Sequence, residues 1–165
     1  MAIADAMLME MDMENKTTQR VLERVPESKL TWKPHPKAFS LGQLAMHIAA
    51  GPGGVASAAI NDVHELGNIA PSEPKTHKEI MDAFTANSAK AREIVKGFSD
   101  AQMSTTWTLT RNGKTIMSVP RVGFLRAIMM NHIYHHRGQL SVYLKMLDVP
   151  IPSIYGPSAD ENPFA

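Results

Sequence analysis

The chain has 165 residues, no cysteine and a formal net charge of +1. That length suits a single domain, residues 1–165, with a core of its own. The missing cysteines exclude disulfides, thiolate metal ligands and a cysteine nucleophile. Lysines and glutamates are scattered, so no basic face for nucleic acid is expected. No apolar run approaches a membrane span, and the N-terminus lacks a basic-then-apolar signal pattern. The absence of cysteine makes a reducing cytoplasm the expected location.

Apolar residues at three-and-four spacing predict a first helix from about Ile3 to Val25, with Ala4, Met7, Met11, Thr18, Val21 and Val25 on its stripe. Glu14 and Asn15 break that stripe, and Pro26 ends the element. The connection TWKPHPKAFS is denied helix by Pro34 and Pro36. It ends in a start signal, with Ser40 and Gln43 as a capping box and Phe39 and Leu44 as a hydrophobic staple. The second helix follows on Leu41, Leu44, Ala45 and Ile48, with His47 beside the stripe. GPGG at 51–54 is expected to bend or break it before small residues from Val55 to Ile60 resume it. GPGG lacks the lysine and the preceding strand of a phosphate loop.

Thr76 and Glu79 form a second capping box. The third helix then carries Ile80, Phe84, Asn87, Ala91, Ile94 and Phe98 at bundle spacing. WTLTRNGKTIM is rich in β-branched residues around Asn112-Gly113 and predicts a two-stranded hairpin packed on the helices. A fourth helix starts near Pro120 and runs to about Leu147, and an irregular, proline-punctuated tail follows from about 149. The many methionines, 12 in all, suit irregular gaps between helices.

On the fourth helix the stripe Val122, Leu125, Met129, Tyr143, Leu147, continued through its middle, lands on His132 and His136. Four residues apart, they share a face at the separation where two imidazoles can hold one ion. A single histidine on such a stripe is ordinarily a satisfied core residue. Two in a seam each need partners of their own, and a metal supplies both needs at once. His47 is the remaining histidine on an apolar helical face and the candidate third ligand. His135 falls towards the flank, and His35, His64 and His77 lie in connections or at a helix start, where solvation is expected.

LTWKPHPKAFSLGQLAMHIAA, NHIYHHRGQLSVYLKML and VPIPSIYGPSADE together resemble the DinB-like (DinB/YfiT) superfamily over nearly the whole chain. The specific feature is a histidine after LGQLAM paired with one directly before RGQ. The resemblance implies an all-α fold, a four-helix bundle with one long crossover connection, here carrying a short β-hairpin before its last helix. It implies a homodimer, and a divalent metal, zinc or nickel, on His47, His132 and His136. Characterised members include metal-dependent transferases and isomerases that use low-molecular-weight thiols such as bacillithiol or mycothiol.

Three imidazoles leave coordination positions open, which suits catalysis better than a closed structural site. The expected activity is a metal-dependent thiol S-transferase acting on a small electrophile. A metal-dependent hydrolase and a non-catalytic metal-binding stress-response bundle are the alternatives. Gln43, Gln139, Glu14 and Asn15 are candidates to orient the rings. For Glu14, a solvated helix face is the competing reading. Arg137 follows a proposed ligand and could bind a substrate carboxylate, against the commoner reading of a surface arginine.

Overall fold

Capping chemistry and apolar spacing set the helices. The computed structural model describes residues 1–68 and 72–164. Helix α1 spans Ile3–Leu22 and buries Ala4, Met7, Leu8, Met11, Thr18, Val21 and Leu22. It ends a little before the expected Val25, and the His77 ring donates to the Leu22 carbonyl at 3.0 Å, satisfying one of its terminal acceptors. His77, expected in solvent, is therefore a half-buried clamp between α1 and the start of the third long helix.

Helix α2 (Leu41–Ala58) opens with the Ser40–Gln43 capping box. It does not break at GPGG, contrary to the sequence expectation: Pro52 lies inside one continuous helix. Close packing is the physical reason. A Cβ on Gly51 would sit 2.8 Å from Ile133 Cδ1, and one on Gly53 would sit 2.2 Å from Asn87 Oδ1 and 2.8 Å from Asn87 Cβ. The glycines therefore let the last helix and the helix that carries Asn87 approach the α2 backbone. Gly53→Ala should lose about 1–3 kcal/mol through this overlap, although alanine is the better helix former. Urea denaturation checks it, and an unchanged or raised midpoint would show that the Asn87 contact yields freely.

Between α2 and α3 the chain forms a short strand, β1 (Val63–Glu65). Helix α3 (His77–Lys96) is capped by Thr76, whose side chain accepts from the Glu79 N–H. The Glu79 carboxylate returns to the Lys75 N–H at 3.0 Å rather than to Thr76, so the expected box is shifted by one residue. After the short α4 (Asp100–Ser104), β2 (Thr106–Arg111) and β3 (Lys114–Pro120) form the expected antiparallel hairpin. Its turn places Asn112 at φ 52° and Gly113 at φ 71°, the left-handed pair that a two-residue hairpin loop requires. The expected ribbon of two strands is a sheet of three, because β1 pairs parallel with β2 in the order β1-β2-β3. β1 is only three residues long, too short for a periodic signal.

The last helical run has three parts: α5 (Arg121–Phe124), a π-helical segment (Leu125–Asn131) and α6 (His132–Met146). The wider π turns shift the phase of everything after them. The buried positions are Leu125, Met129, Met130, Ile133, Arg137, Leu140 and Leu144, not the expected line through Tyr143 and Leu147. Helix α3 packs on α1 and α2, and α6 packs on the same two helices. The buried core forms two clusters. One gathers around Trp107, Phe124 and Met129, the other around Leu44, Ile48 and Leu140. The Trp107 ring stacks on Phe124 with centroids 3.6 Å apart and donates its N–H to the Ala58 carbonyl at 3.0 Å, which ties the sheet to the end of α2.

Candidate metal centre

His132 and His136 lie beside the buried line of Ile133 and Arg137, so they flank the seam instead of occupying its centre. Both are half-buried, as is His47 on α2. The two helices bring the three rings together. One ligand atom from each lies within 4.8 Å of the other two. The ring centroids of His47 are 5.1 Å from His132 and 4.6 Å from His136, and those of His132 and His136 are 4.5 Å apart. His135 is exposed, its ring 5.1 Å from that of His136, and it is not part of the three-histidine cluster.

The donor set fits a cation. His136 Nδ1 lies 2.7 Å from Gln139 Oε1, which can only accept, so Nδ1 carries the proton and Nε2 presents a lone pair. His132 bonds the Ile128 backbone, and its Nε2 faces His136 Nε2 at 2.8 Å. With the other ring nitrogens committed to Gln139 and Ile128, a proton shared between the two Nε2 atoms would make one ring cationic in a half-buried place, whereas a metal ion accepts both lone pairs, and that of His47, from neutral rings. Gln139 is thus the outer partner that fixes the His136 ring. Gln43, the other glutamine considered, is used in the α2 cap instead.

Burial also keeps the rings free of protons. Desolvation, with His136 and His132 nearby, lowers the His47 pKa from 6.5 to about 4. Desolvation lowers those of His132 and His136 as well, opposed at His136 by the Gln139 bond. Neutral imidazole is the form that ligates a metal. The same shift carries a stability consequence for metal-free protein. Between about pH 6.5 and pH 4 the unfolded chain binds a proton at His47 that the folded chain does not, so stability is full above that window and falls as pH drops through it. Denaturation midpoints of chelator-treated protein should fall from pH 7 to pH 4.5. A midpoint that holds or rises on acidification would contradict the burial of this ring.

Beside the rings is a half-open cavity of about 520 Å³ between α2, the π-helical segment and the sheet. His47 and His132 line it, with Phe39, Val55, Leu109 and Ile128 among the apolar walls. His64 on β1 lines it too, although the sequence placed this residue in a solvated connection. No sequence signal marks it, because the three-residue strand that carries it is too short for a period-two pattern.

Arg137 occupies a different place from the one expected. Its side chain is 1% exposed and donates to Tyr155 Oη at 2.6 Å, Thr18 Oγ1 at 3.1 Å and the Glu14 carbonyl at 3.2 Å. Its Nη2 is 2.7 Å from the Glu14 carboxylate, itself 16% exposed. The rings of Tyr134 and Tyr155 flank the guanidinium at 5.2 and 5.1 Å. The arginine therefore latches α1 and the C-terminal tail onto α6, and both of its terminal nitrogens are committed within the protein. Glu14 is neither a solvated face nor a member of the histidine cluster; it breaks the α1 stripe because it meets this arginine. Asn15 lies on the same side, with Met11, Pro52 and Ile133 around a small void.

Comparison with known proteins agrees with this architecture. A family model described as "DinB family" matches residues 2–162. The chain belongs to the DinB family. It is 26% identical over 164 residues to the uncharacterized protein YrdA of Bacillus subtilis (strain 168), covering 95% of this chain and 90% of that one. A DinB-like protein from Bacillus cereus ATCC 10987 superposes with a TM-score of 0.74 at 22% identity, over 93% of this chain and 98% of that one. The DinB-like protein YjoA from Bacillus subtilis gives a TM-score of 0.69 at 15% identity, over 89% and 96% of the two chains. The mostly helical fold with its small sheet is thus a DinB-like fold. No helix among the described residues is long and apolar enough to cross a membrane.

Proposed function

We propose that this chain is a metal-dependent thiol S-transferase built on a four-helix bundle, holding zinc or nickel on His47, His132 and His136. The observation that carries the reading is the convergence of three half-buried imidazoles, two of which, His47 and His132, line an apolar cavity. When bound, a divalent ion supplies positive charge that favours the deprotonated form of a coordinated thiol or water. The chain's own contributions are distinct. Gln139 orients the His136 ring, and burial holds His47 unprotonated. The apolar walls restrict water around the reactants. The net reaction joins a thiol sulfur to an electrophilic carbon and releases the thiol proton and the displaced leaving group.

Three candidate ligands, not four, stand together among the described residues, which favours an open position over a closed structural site. The test combines metal-loaded protein with a panel of low-molecular-weight thiols and 1-chloro-2,4-dinitrobenzene, followed by absorbance of the thioether product. Turnover that disappears on chelation and in His47→Ala supports the reading. Stoichiometric metal with no thiol-dependent turnover for any electrophile tried would replace it with the non-catalytic binding module. The homodimer and a cytoplasmic location belong to the same proposal, and light scattering tests the first.

A further inference from the structure

The cavity beside the histidines has a lining that restricts what it can hold. Among the described residues that line it, none is lysine, arginine, aspartate or glutamate. Its polar side chains are His47, His132, His64 and Ser72. The remaining walls are aliphatic or aromatic, and the Trp107–Phe124 stack forms one of them. Arg137, the cation nearest in sequence to the triad, is committed to Glu14, Thr18 and Tyr155. A carboxylate or sulfonate placed in this cavity would lose its hydration without gaining a side-chain cation. An aromatic body of up to two or three rings fits the volume, within the range typical of small-molecule pockets.

We infer that the cavity binds an uncharged, largely apolar aromatic molecule and discriminates against anionic ones. As a statement about substrate this rests on the transferase reading, and it names the class of electrophile that reading requires. Polar contact with such a ligand falls to the histidines at one side and to His64 and Ser72 elsewhere on the wall. Gly54 supplies a means of closing the space. It lines the cavity, and a Cβ built there would meet no protein atom within 4 Å, so a substituent at this position starts in open space at the cavity wall.

The experiment uses two fluorescent probes that share one skeleton: uncharged N-phenyl-1-naphthylamine and its sulfonated analogue 8-anilino-1-naphthalenesulfonate. Both are titrated into the protein as purified and after chelation, and into Gly54→Phe and Gly54→Ala. The neutral probe should bind the purified and the chelated protein, and the sulfonated one at least about tenfold more weakly to the chelated protein. Gly54→Phe should weaken the neutral probe by at least about tenfold without lowering the melting temperature, while Gly54→Ala leaves binding near wild type. Absence of neutral-probe binding, equal affinity for the anion in chelated protein, or binding indifferent to a folded Gly54→Phe would each overturn the inference. If Gly54→Phe does not fold, the comparison of the two probes on the unsubstituted protein decides. Because the chelated protein is included, binding of the neutral probe stands even where metal analysis shows no ion. A fully metallated protein that ignores the neutral probe would refute the inference while leaving the metal site intact.

Discussion

Arg137→Ala is expected to cost about 3 kcal/mol of folding stability, near the lower end of the range for removing one member of a buried ion pair. The guanidinium is 1% exposed and Glu14 is 16% exposed, so alanine strands a carboxylate in a largely dry setting. It also leaves the hydroxyls of Thr18 and Tyr155 without this donor and opens a void between Tyr134 and Tyr155. The partial exposure of Glu14 lets water recover some of the loss, which places the estimate low in the range. Arg137→Met with Glu14→Met should cost less than Arg137→Ala alone, because no charge is then stranded. A substrate-binding arginine would behave differently: its loss would raise KM and leave the unfolding midpoint near wild type. Denaturation of the single and double variants separates the two, and an unchanged midpoint for Arg137→Ala would refute the latch.

How far the sequence reached is clear from particular residues. The capping box at Ser40 and Gln43 and the hairpin at Asn112-Gly113 were legible because their chemistry is local. His47, His132 and His136 were picked out because helical spacing carries the information that places side chains on a face. The failures have one cause, which is dependence on distant partners. GPGG looked like a breaker because Ile133 and Asn87, which need its missing side chains, are far away in the chain. The π-helical segment at Leu125–Asn131 rotated the following helix, so Arg137 went inside and the histidines went to the flank. Arg137 adjoins His136 in sequence, while its partners Glu14 and Tyr155 lie on α1 and the tail. β1 was missed because a three-residue strand is defined by the strand it pairs with.

The second large effect concerns the histidines themselves. Removing one of three ligands should reduce metal affinity by more than the about 10- to 100-fold that loss of an outer hydrogen-bond partner costs. A graded series follows. His47→Ala, His132→Ala and His136→Ala should lose the ion, and Gln139→Leu should hold it about 10- to 100-fold more weakly because the His136 ring is no longer oriented. His135→Ala should match wild type, since that ring is exposed and outside the cluster. Competition with protons sets the pH dependence: the ion should be released as pH falls, because each ligating imidazole must be neutral. The order of the series matters more than any one value. A structural contribution from a half-buried histidine would lower stability, but it would not separate His136 from its exposed neighbour His135 in metal content.

Elemental analysis of protein purified without a histidine tag tests the central claim most directly. The wild type and His135→Ala should each carry about one divalent ion per chain, and His132→Ala and His136→Ala should carry almost none. Metal content unchanged in both His132→Ala and His136→Ala, or lost as completely in His135→Ala, would contradict the metal centre.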